Sequence, residues 1–150
     1  MQKLSKNFYH REDVITISKE LLGKILITNF NENLTSGMIV ETEAYAGLTD
    51  KASHAYNGKR TPRTKTMYKS GGVAYVYLCY GIHHLFNIVT NVKNIPHAVL
   101  IRSGKIHSGL EHIKRRRGNN ISVLKLLQGP GNFAKGLGIN MDLNGIYLNK

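Results

Sequence analysis

The sequence predicts an α+β fold, in which a mixed, mostly antiparallel curved sheet carries flanking helices and a protruding β-hairpin. Several short β-rich runs are separated by turn residues, the helical stretches lie on either side of these runs, and no internal repeat is present. The length of 150 residues suits one domain, residues 1–150, with about 70% of its unfolded surface buried on folding.

The N-terminal part predicts a helix followed by a β-hairpin. Asp13 can cap a helix that runs to about Leu22, because apolar residues recur along one face of this stretch. Lys24–Phe30 is rich in strand-forming residues, and residues 31–33 read as a turn. The turn leads into a second predicted strand, Met38–Tyr45.

A polar and basic stretch, residues 47–72, separates this hairpin from the next. A segment of this length without clear periodicity is usually functional or disordered. Its lysines and arginines are Lys51, Lys59, Arg60, Arg63, Lys65 and Lys69.

The C-terminal half predicts a second hairpin and two helices. Val73–Tyr80 and Leu85–Thr90 are the hairpin strands, with the tip at residues 81–82, and Ala98–Arg102 is a further short strand. A helix is expected over residues 109–117 and a short one over residues 133–137.

The composition favours a polyanionic partner. Lysine and arginine exceed aspartate and glutamate by 12, and the isoelectric point is near 9.9. The alternative is a basic surface that serves solubility alone. Cys79 is the single cysteine, no apolar signal core opens the chain, and no apolar run is long enough for a membrane span. We therefore expect a cytoplasmic protein, associated with the nucleoid if bacterial, with no membrane partner.

The strand Met38–Tyr45 offers the strongest candidate chemistry. Strand alternation places Glu43 and Tyr45 on one face, together with Glu41 and Ile39. A carboxylate beside an aromatic ring can hold a flat ring next to a base that activates water. Glu43 alone could equally be a surface glutamate, and Glu41 with Glu43 could form an acid/base pair. We favour Glu43 as the catalytic carboxylate and Glu41 as structural.

The histidines do not predict a metal site. His54 is a loop histidine of the kind that is usually solvated or bonded to backbone, and the adjacent His83 and His84 point to opposite faces of a strand. We expect no metal and no cofactor.

Tyrosines are concentrated in the second hairpin. Tyr75 and Tyr77 share a face, and Tyr75 reads as an ordinary strand aromatic. Tyr80 stands beside Gly81 at the predicted tip, where burial is hard and insertion between base pairs is feasible. Asn87 interrupts an apolar strand and needs a polar partner or a ligand.

Taken together, these residues resemble the alkyladenine (3-methyladenine) DNA glycosylase family over about residues 8–139. The motifs that carry the resemblance are I-V-E-T-E-A-Y at 39–45, S-H-A at 53–55, T-P-R at 61–63, Y-V-Y at 75–77, Y-G at 80–81, Asn87, L-I-R at 100–102, G-P-G at 129–131 and L-G-I at 137–139.

The resemblance implies a role for each candidate residue. Glu43 matches the general base that activates water, with Arg102 near that water and the DNA backbone. Tyr45 matches one wall of the base pocket, and His54 and Tyr77 match the other. Asn87 matches the residue that screens out the exocyclic amine of guanine, and Tyr80 matches the wedge that enters the minor groove. The residues expected to contact phosphates are Lys59, Arg60, Arg63 and Lys69.

The implied activity is that of a monofunctional glycosylase. Such an enzyme flips alkylated or deaminated purines out of duplex DNA and hydrolyses the N-glycosidic bond without strand cleavage. We expect a monomer whose partner is double-stranded DNA containing damaged purines. The alternatives are a nucleic-acid-binding module that stacks bases on its aromatic residues and an inactive relative that binds lesions.

The sequence departs from the family at two places. Asn132 follows the G-P-G motif where the family often has lysine, which puts one phosphate contact in doubt. The chain also stops at Lys150, so we expect that it lacks the family's C-terminal tail.

Overall fold

The chain folds around one five-stranded sheet, and the computed structural model describes all of residues 1–150. The strands are β1 (Ile25–Phe30), β2 (Asn33–Tyr45), β3 (Ala74–Cys79), β4 (His83–Thr90) and β5 (His97–Ser108). The helices are α1 (Lys6–His10), α2 (Val14–Leu21), α3 (Leu110–Arg117) and α4 (Pro130–Gly136). The strand order is β1-β2-β5-β4-β3, and every neighbouring pair is antiparallel, which confirms the predicted α+β class.

The predicted elements are present, with longer strands than expected. The Asp13 carboxylate accepts the backbone N–H groups of Ile15 and Thr16 and so caps α2. Strands β2 and β5 extend beyond their predicted ends because they pair with each other as far as Ser36 and Ser108. Helix α1 was not predicted, since five residues are too few to show a helical period.

The two faces of the sheet are covered by different parts of the chain. One face packs with α2 and α4 in a cluster of 18 buried residues, which includes Ile17, Phe133 and Ile101. The other face carries a smaller cluster of seven, in which Met67 and Tyr68 of the 47–72 segment cover the sheet. The side chains of Glu43, Tyr45 and the tyrosines of β3 belong to this second face.

A pair of β-bulges interrupts the β2–β5 ladder. Ile39 pairs with Gly104, Glu41 with Ser103 and Thr42 with Ile101, so Val40 and Arg102 each lack a cross-strand partner. The prediction that Ile39 shares a face with Glu41 is wrong for this reason. Ile39 is buried in the larger cluster, whereas Glu41 is exposed on the opposite face.

The 47–72 segment is ordered without regular α-helix or strand. It contains three short 3-10 helices, Gly47–Thr49, Tyr56–Gly58 and Thr64–Tyr68. Beyond it, the β3–β4 hairpin protrudes as predicted, and Tyr80 at its tip is 94% exposed. None of the helices has the length and apolar character that a membrane crossing requires.

Candidate active site

The carboxylate of Glu43 is held between a tyrosine and an arginine. The Tyr45 hydroxyl donates to Glu43 Oε1 over 2.9 Å, as their shared strand face predicts. Arg102 Nη1 donates to Glu43 Oε2 over 2.9 Å from the neighbouring strand β5. Each carboxylate oxygen therefore has one partner and keeps a lone pair free to accept a proton.

Arg102 is shared with a second carboxylate. Its Nε atom donates to Glu41 Oε1 over 2.9 Å, and the side chains of all three residues are partly exposed. We call Glu41, Glu43 and Arg102 the Arg102 cluster. The bulges create it, because Arg102 and Ser103, which would point to opposite faces of a regular strand, both contact Glu41.

Aromatic side chains form a narrow cleft, the aromatic slot, beside this cluster. Four of its lining residues are the candidates Tyr45, His54, Tyr77 and Asn87, and the others are Ala52, Met67, Tyr75 and Ala98. The free space is about 30 Å³, room for one or two water molecules and far below the volume of an ordinary small-molecule pocket. A molecule larger than two waters therefore needs side chains of the slot to move before it can enter.

The structure fixes the orientation of His54 through Tyr75. The Tyr75 hydroxyl and His54 Nδ1 are 3.0 Å apart, and the His54 and Tyr77 rings meet edge to face at 4.6 Å between centroids. Sequence reasoning treated Tyr75 as an ordinary strand aromatic. Its place on the same strand face as Tyr77, opposite Asn87 on β4, was the signal that could have identified it.

Burial keeps the groups of the slot neutral. It lowers the pKa of His54, with Arg63 as a secondary cause. Burial also raises the pKa of Tyr45, helped by Glu43, and raises the pKa values of Tyr75 and Tyr77. At neutral pH the imidazole and the phenols are uncharged, so the slot itself does not repel a cationic ring.

Asn87 is a buried residue that lines the slot. Its side chain is 2% exposed, and Nδ2 donates to the Tyr75 carbonyl oxygen over 3.3 Å. The buried amide thus has the polar partner that the sequence required, while its residue lines the slot.

The predicted phosphate-contacting residues are exposed but do not form one cluster. Arg63 lies over the Tyr77 ring at 5.6 Å, so it borders the slot. Arg60 stacks at 3.8 Å on Tyr68, whose hydroxyl donates to the Lys59 carbonyl oxygen. Lys69 lies apart from them, beside Gly145 near the C-terminus.

Comparison with known proteins identifies relatives of the whole chain. The sequence model of the methylpurine-DNA glycosylase (MPG) family matches residues 7–150. A "Putative 3-methyladenine DNA glycosylase" of Chlamydia pneumoniae is 49% identical over 147 residues, which are 97% of this chain and 75% of the relative. A protein of the same name from Desulfitobacterium hafniense is 42% identical over 97% of this chain and 74% of the relative. Another, from Clostridium perfringens, is 42% identical over 96% of this chain and 73% of the relative.

Proposed function

We propose, because this chain belongs to the methylpurine-DNA glycosylase family, that it excises alkylated or deaminated purines from duplex DNA. Family membership makes it a DNA glycosylase of base-excision repair. The observation that carries the finer proposal is the position of Glu43, bonded to Tyr45 of the aromatic slot and to Arg102.

Recognition begins with extrusion of the damaged nucleotide. A base inside the duplex is out of reach, and flipping it costs a few kcal/mol. Tyr80 is exposed at the hairpin tip, where it can wedge into the minor groove and fill the vacated place. In the slot the flipped base stacks between Tyr45 on one side and His54 and Tyr77 on the other. Such stacking stabilises the flipped state by about 1–3 kcal/mol per base.

The slot favours damaged purines through charge and shape. Alkylation at N3 or N7 gives the ring a positive charge, and uncharged tyrosine faces attract cations. Asn87, buried against the Tyr75 carbonyl, leaves little freedom at the end of the slot and serves to reject the exocyclic amine of guanine.

Hydrolysis then uses water and Glu43. The C1′–N bond breaks as its electron pair moves to the base, and a sugar of oxocarbenium character develops, which the carboxylate stabilises. The water oxygen bonds to C1′ while Glu43 takes a proton, which leaves an abasic site. A cationic alkylated purine departs as the neutral base, whereas hypoxanthine departs as an anion that takes a proton from solvent water. Arg102 orients the carboxylate and can contact the DNA backbone.

Two further properties follow from this mechanism. No lysine amine attacks the sugar, so no Schiff base forms and the strand is not cleaved. The enzyme acts as a monomer on double-stranded DNA. Lys59, Arg60, Arg63 and Lys69 contact phosphates, which position the duplex without reading its sequence.

The test is excision of 7-methylguanine or hypoxanthine from a duplex under single-turnover conditions. The wild type is expected to release free base and leave an intact strand with an abasic site. Glu43→Gln should bind the same duplex while the rate falls roughly 10²- to 10⁴-fold, the usual contribution of a general base. Glu20→Gln, which removes another arginine-paired glutamate, is the matched control and should keep the wild-type rate.

Two results would count against the proposal. An unchanged rate in Glu43→Gln would remove Glu43 from the reaction. Equal affinity for undamaged single strands, without release of any base, would instead indicate a binding module.

A further inference from the structure

We propose that Glu41 is a positioning residue for the reaction, because it prevents Arg102 from closing with two hydrogen bonds on the carboxylate of Glu43. The inference rests on the proposed role of Glu43 as the group that accepts a proton from water. It assigns to Glu41 a function beyond the structural one expected from the sequence.

The geometry shows a guanidinium divided between two carboxylates. Arg102 Nε bonds Glu41 and Nη1 bonds Glu43, both at 2.9 Å, with one bond to each. A planar guanidinium facing a single carboxylate commonly forms two parallel bonds with it. Such a fork would engage both oxygens of Glu43 with a full positive charge and make the carboxylate a weaker base.

Glu41 is itself anchored on its second oxygen. Ser103 Oγ donates to Glu41 Oε2 over 3.2 Å and accepts the backbone N–H of Gly129 over 2.9 Å. Ser103 is 6% exposed, and the β-bulges bring it to the same face as Arg102. A freely rotating surface glutamate would have no such support, so the sheet holds Glu41 where it can retain Arg102.

The charges near Glu43 make the direction of the effect clear. Arg102 on β5 and Arg63 on the 47–72 segment are positive, while Tyr45 and Tyr77 remain protonated at neutral pH. Glu41 supplies a negative charge that shares Arg102 with Glu43. The hydrogen bond from Arg102 to Glu41 holds the Nε edge of the guanidinium away from Glu43, so Glu43 receives one hydrogen bond from Arg102 and not two.

The experiment is a single-turnover pH profile with a hypoxanthine duplex, for the wild type and Glu41→Gln. The variant is expected to excise about 3- to 10-fold more slowly near neutral pH, and the acidic limb of its profile is expected to lie at lower pH than that of the wild type. Its affinity for the duplex should stay within about twofold of the wild type. Ser103→Ala, which removes the anchor, should shift the limb in the same direction by less, and Glu20→Gln should not shift it.

The outcomes separate this inference from the proposed function. A Glu41→Gln enzyme with an unmoved limb, or a limb moved to higher pH, overturns the positioning role even if its rate or stability has fallen. If Glu43→Gln is inactive while Glu41→Gln matches the wild type throughout, the inference fails and the proposed function stands. If Glu43→Gln excises at the wild-type rate, the proposed function fails with it.

Discussion

The two parts of the candidate site are built in different ways. The Arg102 cluster lies on β2 and β5, at paired bulges followed by a regular ladder in which Glu43 pairs with Leu100 and Tyr45 with Ala98. The basic residues on the other side of the slot lie on the 47–72 segment, which is held by short 3-10 helices and a few side-chain bonds. One region is fixed by paired strands, and the other by short helices and by the packing of Met67 and Tyr68 against the sheet.

This difference matches the tolerance of each task. A proton acceptor and the water it activates need placement within a fraction of an ångström, which paired strands can supply. A lysine that contacts a phosphate acts through a long flexible stem, so a loop is sufficient. Substitutions in the Arg102 cluster should therefore lower the excision rate, and those in the loop should lower DNA affinity.

The largest effect that tests this division is expected from Arg102→Lys. Lysine keeps the charge but lacks the planar fork that contacts Glu41 and Glu43 together. The single-turnover rate should fall roughly 10²-fold, a loss typical of removing one preorganised charged donor. Affinity for the damaged duplex should change by less than about threefold. If Arg102→Lys loses affinity for DNA but keeps the wild-type excision rate, Arg102 acts like the loop residues, and the division between the two regions is wrong.

The next effect is expected at the hairpin tip, which connects two strands of the sheet and which we propose to be the wedge that enters DNA. Tyr80 has a positive φ of 51°, a conformation that asparagine accepts more easily than tyrosine. Tyr80→Asn should unfold at the same or a higher temperature, yet excise about 10-fold or more slowly because the wedge is lost. Leu124→Asn, which alters another exposed apolar residue, should leave excision unchanged. A parallel loss of stability and activity in Tyr80→Asn would indicate that the ring supports the fold instead.

Sequence periodicity could predict the parts of the site that follow regular strand geometry. Alternation along β2 put Glu43 and Tyr45 on one face, and Gly81 after Tyr80 marked the hairpin tip. Periodicity could not predict the contact of Arg102 with Glu41, because the paired bulges reverse the alternation of side chains between the two faces of the sheet. No residue type in this stretch is specific enough to predict a bulge. Tyr75 was missed since a buried tyrosine on a strand has the same pattern whether it supports a core or orients a histidine.

A smaller effect is expected from a single loop lysine. Lys59→Ala should weaken binding of damaged and undamaged duplexes about equally, by roughly threefold, and leave the single-turnover rate at saturating enzyme unchanged. The slope of log affinity against log salt concentration should fall in magnitude by about 0.9, as expected for one lost phosphate contact. Lys19→Ala, on α2 behind the opposite face of the sheet, is the matched control and should keep the wild-type slope. A rate loss without a slope change would place Lys59 in the chemistry.

The smallest effect is expected from the titration of His54, a residue of the 47–72 segment that bonds Tyr75 of β3. Burial, with the nearby charge of Arg63, lowers the pKa of His54 from its ordinary value near 6.5, so the imidazole is uncharged at pH 7 and gains a proton only at a pH below that value. The added charge beside the slot repels cationic 7-methylguanine more than neutral hypoxanthine. The ratio of their excision rates should therefore fall about two- to threefold between pH 7 and about pH 5, and His54→Gln should keep it constant. If the ratio falls equally in His54→Gln, another group is responsible for the pH dependence, and protonation of His54 does not control which purine the slot accepts.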